Sequence, residues 1–203
     1  MARIDDYQQA RDLAARELAG GTAEEIAGRA GLHLSEDSRL RAEFLGKIYD
    51  IAYPQFSFTD TGSPSADVPL QEQVLILHYL QGCRPVLIGR WIAFREIPGA
   101  GFYFGAFVKR AVDPLKQAFG AHVERLHRAA AALKGAPVDT GDAGYRFAPL
   151  PYAPVQIILW EGDEEFPAEA NILFDATIGD YLSPEDAAWL ASLVVYRLIG
   201  AAR

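Results

Sequence analysis

The segment from Val155 to Asp175 constrains the fold more than any other part of the sequence. An apolar run from Val155 to Trp160 leads into an acidic loop, and a second apolar run from Asn171 to Phe174 ends at Asp175. Runs of this length and composition are typical of buried strands. Because a connection of about ten residues is too short for a parallel crossover, we predict an antiparallel hairpin. Such a hairpin places Trp160 near Asn171 and carries Asp175 to the end far from the loop.

Helical periodicity recurs along the chain and predicts about six helices. Thr22-Ala-Glu-Glu has the capping-box pattern of a helix start. Ser183-Pro-Glu-Asp combines an N-cap serine, a first-turn proline and two acidic residues. The predicted helices are Ile4–Leu18, Ala23–Ala30, Pro69–Leu80, a helix reaching Val112 that continues past Pro114 to Phe119, Val123–Leu133, and a final helix to Ile199.

Strand-like runs lie between these helices without a regular βαβ rhythm. Leu40–Phe44 and Lys47–Ala52 predict a hairpin around Leu45-Gly46. Residues 138–154 are rich in turn-forming residues and predict a long connection. Further strand pieces are predicted at 55–59, 85–88 and 91–94. This mixture predicts an α+β fold with a central, mostly antiparallel sheet.

Length, charge and cysteine content bound the class of protein. The 203 residues fit one globular domain, 1–203, in which an N-terminal helical pair, 1–31, precedes an α+β body, 38–203. A net charge of −8 argues against binding to nucleic acid or to an anionic membrane surface, and no run reaches the roughly 18 apolar residues of a membrane helix. The single cysteine, Cys83, excludes a disulfide framework and favours a cytoplasmic setting.

A stretch rich in glycine and aromatic residues is the first candidate site. Residues 98–105 precede a helix, whose free N–H groups attract anions, and aromatic side chains with a few polar groups are typical of small-molecule pockets. The glycine spacing misses the dinucleotide fingerprint. The alternative is a tight turn at Gly99 and Gly101, close helix packing at Gly105, and an ordinary aromatic core. The residues predicted to bind a ligand are Arg90, Trp91, Arg95, Gly99, Gly101, Tyr103 and His78.

His78 has two interpretations of its own. It lies near the apolar face of a predicted helix, where it could serve as an axial ligand to a haem or a corrinoid. A hydrogen-bonded core histidine is the alternative. The four histidines of the chain show no metal-ligand spacing.

The acidic loop between the two apolar runs is the second candidate site. Its carboxylates could hold a divalent cation such as Mg²⁺ or Ca²⁺, or could act as an acid–base pair. Their spacing is not that of a calcium loop. The alternatives are a solvated turn anchored to the core by Trp160 and Phe166, and a contact face for a protein partner. The predicted metal ligands are Glu161, Asp163, Glu164 and Glu165.

Three motifs carry a family resemblance: Gly89-Arg-Trp-Ile-Ala-Phe-Arg-Glu-Ile-Pro-Gly, Leu159-Trp-Glu-Gly-Asp-Glu-Glu-Phe-Pro-Ala-Glu-Ala and Ile172-Leu-Phe-Asp. With them the chain resembles the family called domain of unknown function 3786, found largely in anaerobic bacteria and archaea. Some relatives carry a cysteine-rich segment that binds a [4Fe–4S] cluster, and a similar segment occurs in corrinoid iron–sulfur proteins of one-carbon metabolism. One cysteine cannot supply the roughly four thiolates of such a cluster, so we expect no iron–sulfur cluster in this chain.

The sequence favours a soluble ligand-binding or accessory protein in anaerobic cofactor or one-carbon metabolism. A tetrapyrrole, a corrinoid or a divalent cation is the expected cofactor class, and a small molecule or a protein is the expected partner. The alternatives are an enzyme that uses a cation held by the acidic loop, and a protein-docking module. The oligomeric state and the question of catalysis stay open.

Overall fold

The computed structural model describes residues 4–82 and 86–203. Cys83 and part of the strand piece predicted at 85–88 lie outside the described residues. The chain forms two compact units. The first comprises residues 1–86, 150–152 and 180–182, and the second comprises residues 87–149, 153–179 and 183–203. Within the described ranges, no helix is both long and apolar enough to span a membrane.

The first unit contains an antiparallel four-stranded sheet in sequential strand order. Its strands are β1 His33–Leu34, β2 Arg39–Phe44, β3 Lys47–Ala52 and β4 Ser57–Asp60, and its helices are α1 Ile4–Leu18, α2 Ala23–Ala30 and α3 Leu70–Leu80. The predicted hairpin of β2 and β3 is confirmed, with Leu40 opposite Ile51. Buried and exposed residues alternate along β2, because successive side chains of a strand point to opposite faces. The Thr22 capping box is also confirmed, as the Thr22 hydroxyl accepts from the N–H of Glu25.

Three tyrosines stack in the core of the first unit. The ring centres of Tyr79 and Tyr181 are 5.0 Å apart, and those of Tyr152 and Tyr181 are 5.6 Å apart. The Tyr79 hydroxyl donates to the Ala30 carbonyl at 2.7 Å and accepts from the Tyr152 N–H at 3.1 Å. Burial raises the pKa of the Tyr79 hydroxyl. Gly82 leaves the space for this stack, because a Cβ atom there would collide with the Tyr181 ring.

The second unit contains an antiparallel five-stranded sheet in the order β5-β9-β8-β7-β6. Its strands are β5 Trp91–Ala93, β6 Ala136–Pro137, β7 Ala143–Phe147, β8 Val155–Trp160 and β9 Glu169–Asp175. The predicted hairpin of the two apolar runs is confirmed as β8 and β9, although Trp160 faces Glu169 rather than Asn171. The turn-rich connection predicted over 138–154 also contains a strand that was not predicted, since β7 pairs with β8 along five residues.

Three helices belong to the second unit. They are α4, which runs without interruption over 104–119, α5 Val123–Ala132 and α6 Pro184–Ala201. Within α4, Val108–Val112 forms a π-helical turn in which the Asp113 N–H donates to the Val108 carbonyl, five residues back. Pro114 explains this turn, because proline has no N–H and its ring crowds the carbonyl four residues earlier, that of Arg110. The α+β class, the antiparallel pairing and the number of helices are confirmed; that the whole chain makes one domain stays a prediction.

Candidate functional site

A pocket of 260 Å³ in the second unit is the candidate site. Its walls come from the turn after β5 (93–95), from one side of α4, and from residues 170–173 of β9. We call it the Phe94 pocket. Phe94 is only 1% exposed. The rings of Phe94 and Phe107 lie parallel with their centres 4.3 Å apart, and Phe174 packs beside both. This packed aromatic cluster gives the pocket an apolar wall.

One side of α4 forms the second wall because its apolar residues recur every four positions. Phe104, Val108 and Val112 line the pocket. An α-helix has 3.6 residues per turn, so a four-residue stripe drifts around it; the wider π turn keeps the stripe on one side. A neighbouring stripe with the same spacing, Phe107, Ala111, Leu115 and Phe119, is buried, and Tyr103 at its start is half-buried.

Arg95 supplies the positive charge at the Phe94 pocket. Its guanidinium carbon lies 3.7 Å from the centre of the Phe104 ring, which is a cation–π contact. Arg95 is exposed and forms no ion pair with any carboxylate in the described part of the chain. The ring therefore holds the guanidinium at the pocket while leaving its N–H groups available to an anion.

Arg95 alone among the seven residues predicted to bind a ligand lines the Phe94 pocket. Arg90 and Trp91 lie at the start of β5, where the Arg90 carbonyl accepts from the Ala176 N–H at 2.8 Å. Tyr103 lies beside Glu185, whose negative charge raises the pKa of the Tyr103 hydroxyl. His78 is half-buried on α3 of the first unit, so its role as an axial ligand stays a prediction.

Of Gly99, Gly101 and Gly105, only Gly99 has a backbone conformation that favours glycine. Gly99 has a φ of 81°, a left-handed conformation that explains the glycine. A Cβ atom at Gly101 or Gly105 would meet no atom of another described segment within 4 Å. The interpretation of Gly105 as a site of close helix packing is therefore wrong within 4–82 and 86–203, because no other segment approaches it there.

Asp175 fixes the chain that leads into β5. It is 2% exposed, and its carboxylate accepts from the N–H groups of Ile88, Gly89 and Thr177 and from the Thr177 hydroxyl. Burial by itself raises the pKa of Asp175, but these hydrogen bonds outweigh it and hold the pKa below its ordinary value. The carboxylate at the end of the second apolar run thus positions the segment before β5.

Two carboxylates of the acidic loop are engaged in local structure. An oxygen of Glu161 accepts from the N–H of Val123, the first residue of α5, at 3.2 Å, and so caps that helix. An oxygen of Asp163 accepts from the N–H groups of Glu165 and Phe166 at 2.8 and 2.7 Å, and the bond from Phe166, followed by that from Glu165, lowers the pKa of Asp163. These bonds give the loop a fixed turn.

The outer part of the acidic loop faces solvent. Trp160 is 36% exposed and Phe166 is 67% exposed, so the interpretation of these two side chains as anchors in the core is wrong. Glu164 and Glu165 are exposed as well. Across 4–82 and 86–203, no three histidine, cysteine or acidic side chains come together in a group that could hold a metal ion. The metal site at Glu161, Asp163, Glu164 and Glu165 stays a prediction that this geometry does not favour.

Comparison with known proteins gives one match. The family model described as a domain of unknown function (DUF3786) matches residues 22–197. No curated protein and no solved structure matches the chain. The matched range includes all of β2 to β9 and the whole of the Phe94 pocket. The chain therefore belongs to the DUF3786 family, the domain of unknown function that the Trp160-Glu-Gly-Asp-Glu-Glu-Phe motif indicates.

Proposed function

We propose that this protein is a ligand-binding accessory protein that holds an apolar, negatively charged small molecule in the Phe94 pocket. The observation that carries the proposal is the pairing of an apolar pocket with a guanidinium that has no carboxylate partner among the described residues. Ligand sites combine apolar walls with a few placed polar groups in this way. The apolar part of the ligand would contact Phe94 and Phe107, and its anionic part would pair with Arg95.

The size of the pocket limits the ligand. Clefts for drug-sized ligands measure roughly 300–1,000 Å³, and the Phe94 pocket measures 260 Å³. A whole tetrapyrrole or corrinoid ring would not be enclosed. The pocket would instead hold an acidic side group of a tetrapyrrole or corrinoid, or a smaller carboxylic acid. Such a role would fit a cytoplasmic protein of anaerobic cofactor or one-carbon metabolism.

Titration with small carboxylic acids tests the proposal. The probes are phenylacetate, indole-3-acetate and octanoate, each added to the intact chain and followed by calorimetry and by thermal unfolding. A ligand at about 100 times its dissociation constant stabilises the folded state by roughly 2.7 kcal/mol. At least one acid should bind and raise the melting temperature. Absence of heat and of any shift for all three acids at millimolar concentration would refute the proposal.

Two variants locate the binding. Arg95→Gln removes the charge at the pocket, and Val108→Phe fills the apolar space, so each should weaken binding of the acid about tenfold or more. Lys109→Gln is the matched control, because Lys109 is an exposed cation on α4 that does not line the pocket. Equal loss in all three variants would mean that the acid binds by general charge attraction, and the pocket would then not be the site.

A second candidate function is protein docking through the acidic loop. The exposed Phe166, held by the Asp163 turn and preceded by two glutamates, is the observation that favours it. Aromatic anchors of this kind dominate protein interfaces. In affinity capture with the tagged chain, Phe166→Ser should lose the partner and Phe102→Ser, at an 88% exposed phenylalanine, should retain it. A capture pattern unchanged by Phe166→Ser excludes docking at this loop.

A further inference from the structure

The edge of β9 beside the Phe94 pocket carries backbone groups that no strand in the described part of the chain pairs. Just beyond β9, the Ala176 N–H donates to the Arg90 carbonyl on the β5 side. Along a strand, every second residue directs its N–H and C=O groups to the same side. Counting back from Ala176, Ala170 therefore directs its backbone groups to the β5 side and away from Leu159, its neighbour in β8.

β5 ends before it reaches Ala170. The last pair between β5 and β9 is Ala93 with Leu173. Continuing this register would place Glu96 opposite Ala170, but Phe94–Glu96 is a 3₁₀ turn, closed by the Glu96 carboxylate, which accepts from the Ala93 N–H at 2.7 Å. The turn takes the chain off the edge, and the space it leaves is the Phe94 pocket, which Ala170 lines.

The pocket thus combines three recognition elements. Ala170 offers a backbone donor and acceptor at a strand edge, Phe94 and Phe107 offer an apolar wall, and Arg95 offers a guanidinium. A donor and an acceptor on one strand edge are complementary to an extended peptide chain, which directs the N–H and C=O groups of every second residue to one side. An apolar wall receives an apolar side chain, and a guanidinium pairs with a carboxylate.

We propose that the ligand of the Phe94 pocket is the carboxyl-terminal residue of an extended peptide chain. Its amide would pair with the backbone of Ala170, its apolar side chain would enter the pocket, and its terminal carboxylate would bind Arg95. This inference rests on the proposed function, since it names the chemical class of the ligand. The terminal carboxylate of the peptide would take the place that the carboxylate of the small probes occupies at Arg95. Hydrogen bonds to the strand edge would make the pocket select a peptide over other carboxylic acids.

Selected peptides provide the probe. An arrayed library of eight-residue peptides with a free carboxylate and an apolar last residue is screened against the intact chain, and the tightest binder is resynthesised in two altered forms. The form with a carboxyl-terminal amide loses the charge that pairs with Arg95. The form with an ester in place of the last amide loses the N–H that donates to Ala170. Each change should weaken binding roughly tenfold.

A variant of the strand edge tests the other hydrogen bond, in which the Ala170 N–H would donate to a carbonyl of the peptide. Ala170→Pro removes the N–H at the open edge, where proline is tolerated because no ladder bond is lost. Binding of the peptide should fall about tenfold, whereas binding of phenylacetate, which has no amide, should not change. Ala170→Gly is the control, since it keeps the N–H. Thermal unfolding of both variants shows that each is folded at the temperature of the assay.

The outcomes separate this inference from the proposed function. If small acids bind at Arg95 but no peptide binds below millimolar concentration, the peptide inference is wrong and the pocket function stands. If a peptide binds but neither the ester, the amide nor Ala170→Pro changes its affinity, the peptide docks elsewhere and the inference is also wrong. If neither acids nor peptides bind, both proposals fall together.

Discussion

A single buried carboxylate, Asp175, holds the segment that leads into β5. Four hydrogen bonds reach its two oxygens from the backbone of residues 88, 89 and 177 and from the Thr177 hydroxyl. Each hydrogen bond to a charged group contributes about 1.5–3 kcal/mol before the desolvation of the carboxylate is subtracted. Its place at the end of a buried strand is thus explained by structure, without a catalytic role.

We expect Asp175→Asn to destabilise the second unit by about 1–3 kcal/mol at pH 7, because an amide nitrogen would face N–H donors. The loss should depend on pH. The pKa of Asp175 is lowered in the folded state, so its stabilisation is fully present above the unfolded value of about 3.9 and is lost as the pH falls through the folded value. The difference between wild type and variant should therefore shrink below about pH 4.

Urea unfolding at pH 7 and pH 3, followed by tryptophan fluorescence, measures this difference. The signal reports on the second unit, since Trp91, Trp160 and Trp189 all belong to it. Asp139→Asn is the control, because Asp139 is an exposed acid of the same unit. A deficit for Asp175→Asn that is the same at both pH values would contradict the account of a carboxylate charged by its hydrogen bonds.

At the scale of elements, α4 shows how one proline changes the hydrogen bonding of the helical turn before it. Pro114 enforces the π turn over Val108–Val112, and that turn keeps the pocket-lining stripe in register. By contrast, Gly105 in the same helix is exposed, and a Cβ atom there would meet no other segment that the structure describes, so nothing there requires a glycine.

We expect Gly105→Ala to stabilise the protein by about 0.5–1 kcal/mol, because alanine loses less backbone freedom in a helix and nothing opposes its methyl group here. Gly120→Ala should do the reverse, since its Cβ atom would lie 2.5 Å from the Lys116 carbonyl and against Ala168. Thermal unfolding of both variants checks the pair. A melting temperature lowered by Gly105→Ala would show that the added methyl group collides with another part of the protein.

The cap of α5 gives a second prediction for an element. Glu161→Ala removes the acceptor of the Val123 N–H and should cost about 1 kcal/mol, the usual value of a helix cap. Glu164→Ala, in the same loop and exposed, should change stability by less than about 0.5 kcal/mol. Guanidinium unfolding in the absence of divalent cations compares the two. Equal effects would mean that Glu161 acts as one charge among several and not as a cap.

The hairpin of β8 and β9 could be predicted from sequence, because two dense apolar runs flank a polar loop and only one pairing fits the length. β7 could not. Gly144 lowers the strand signal, and the turn residues around it dominate the pattern; yet a Cβ atom there would lie within about 2.6 Å of the carbonyls of Thr140 and Val138, so backbone packing requires the glycine. A close approach between backbone atoms cannot be predicted from the pattern of apolar and polar side chains.

The candidate site was predictable in region but not in composition. The aromatic stretch around Arg95 points to the pocket, and Phe104, Val108 and Val112 recur every four residues, a signal that a reader of the sequence could have used. The contribution of residues 170–173 depends on where β5 stops, which is decided by the turn that Glu96 closes. Long-range placement of that kind is not encoded in local spacing.

At the scale of the whole molecule, the first unit is assembled from three separate parts of the chain. Residues 150–152 and 180–182 join residues 1–86 in one compact body. They place the Tyr181 ring on Tyr79 and the Tyr152 ring on Tyr181, and stacked aromatic pairs contribute about 0.5–1.5 kcal/mol each beyond their buried area. The two short segments thus complete a core that the first 86 residues begin.

We therefore expect a fragment of residues 1–86 to lack a cooperative thermal transition, because Tyr79 would lose both its ring partner and the Tyr152 N–H. Far-UV circular dichroism and the dispersion of the amide proton spectrum would measure this. The full chain, melted under the same conditions, is the control. A sharp melting curve for the fragment would show that the tyrosine stack is dispensable.

The tyrosine stack also has a consequence for the order of events on the ribosome. Its last member, Tyr181, is translated about a hundred residues after the main part of the first unit, a delay of roughly 5–20 s at ordinary rates of elongation. During that interval the amino-terminal segment has been made but its core is incomplete. Chaperones that bind nascent chains would therefore meet the first unit unfinished, and its folding would be complete only after Tyr181 has been made.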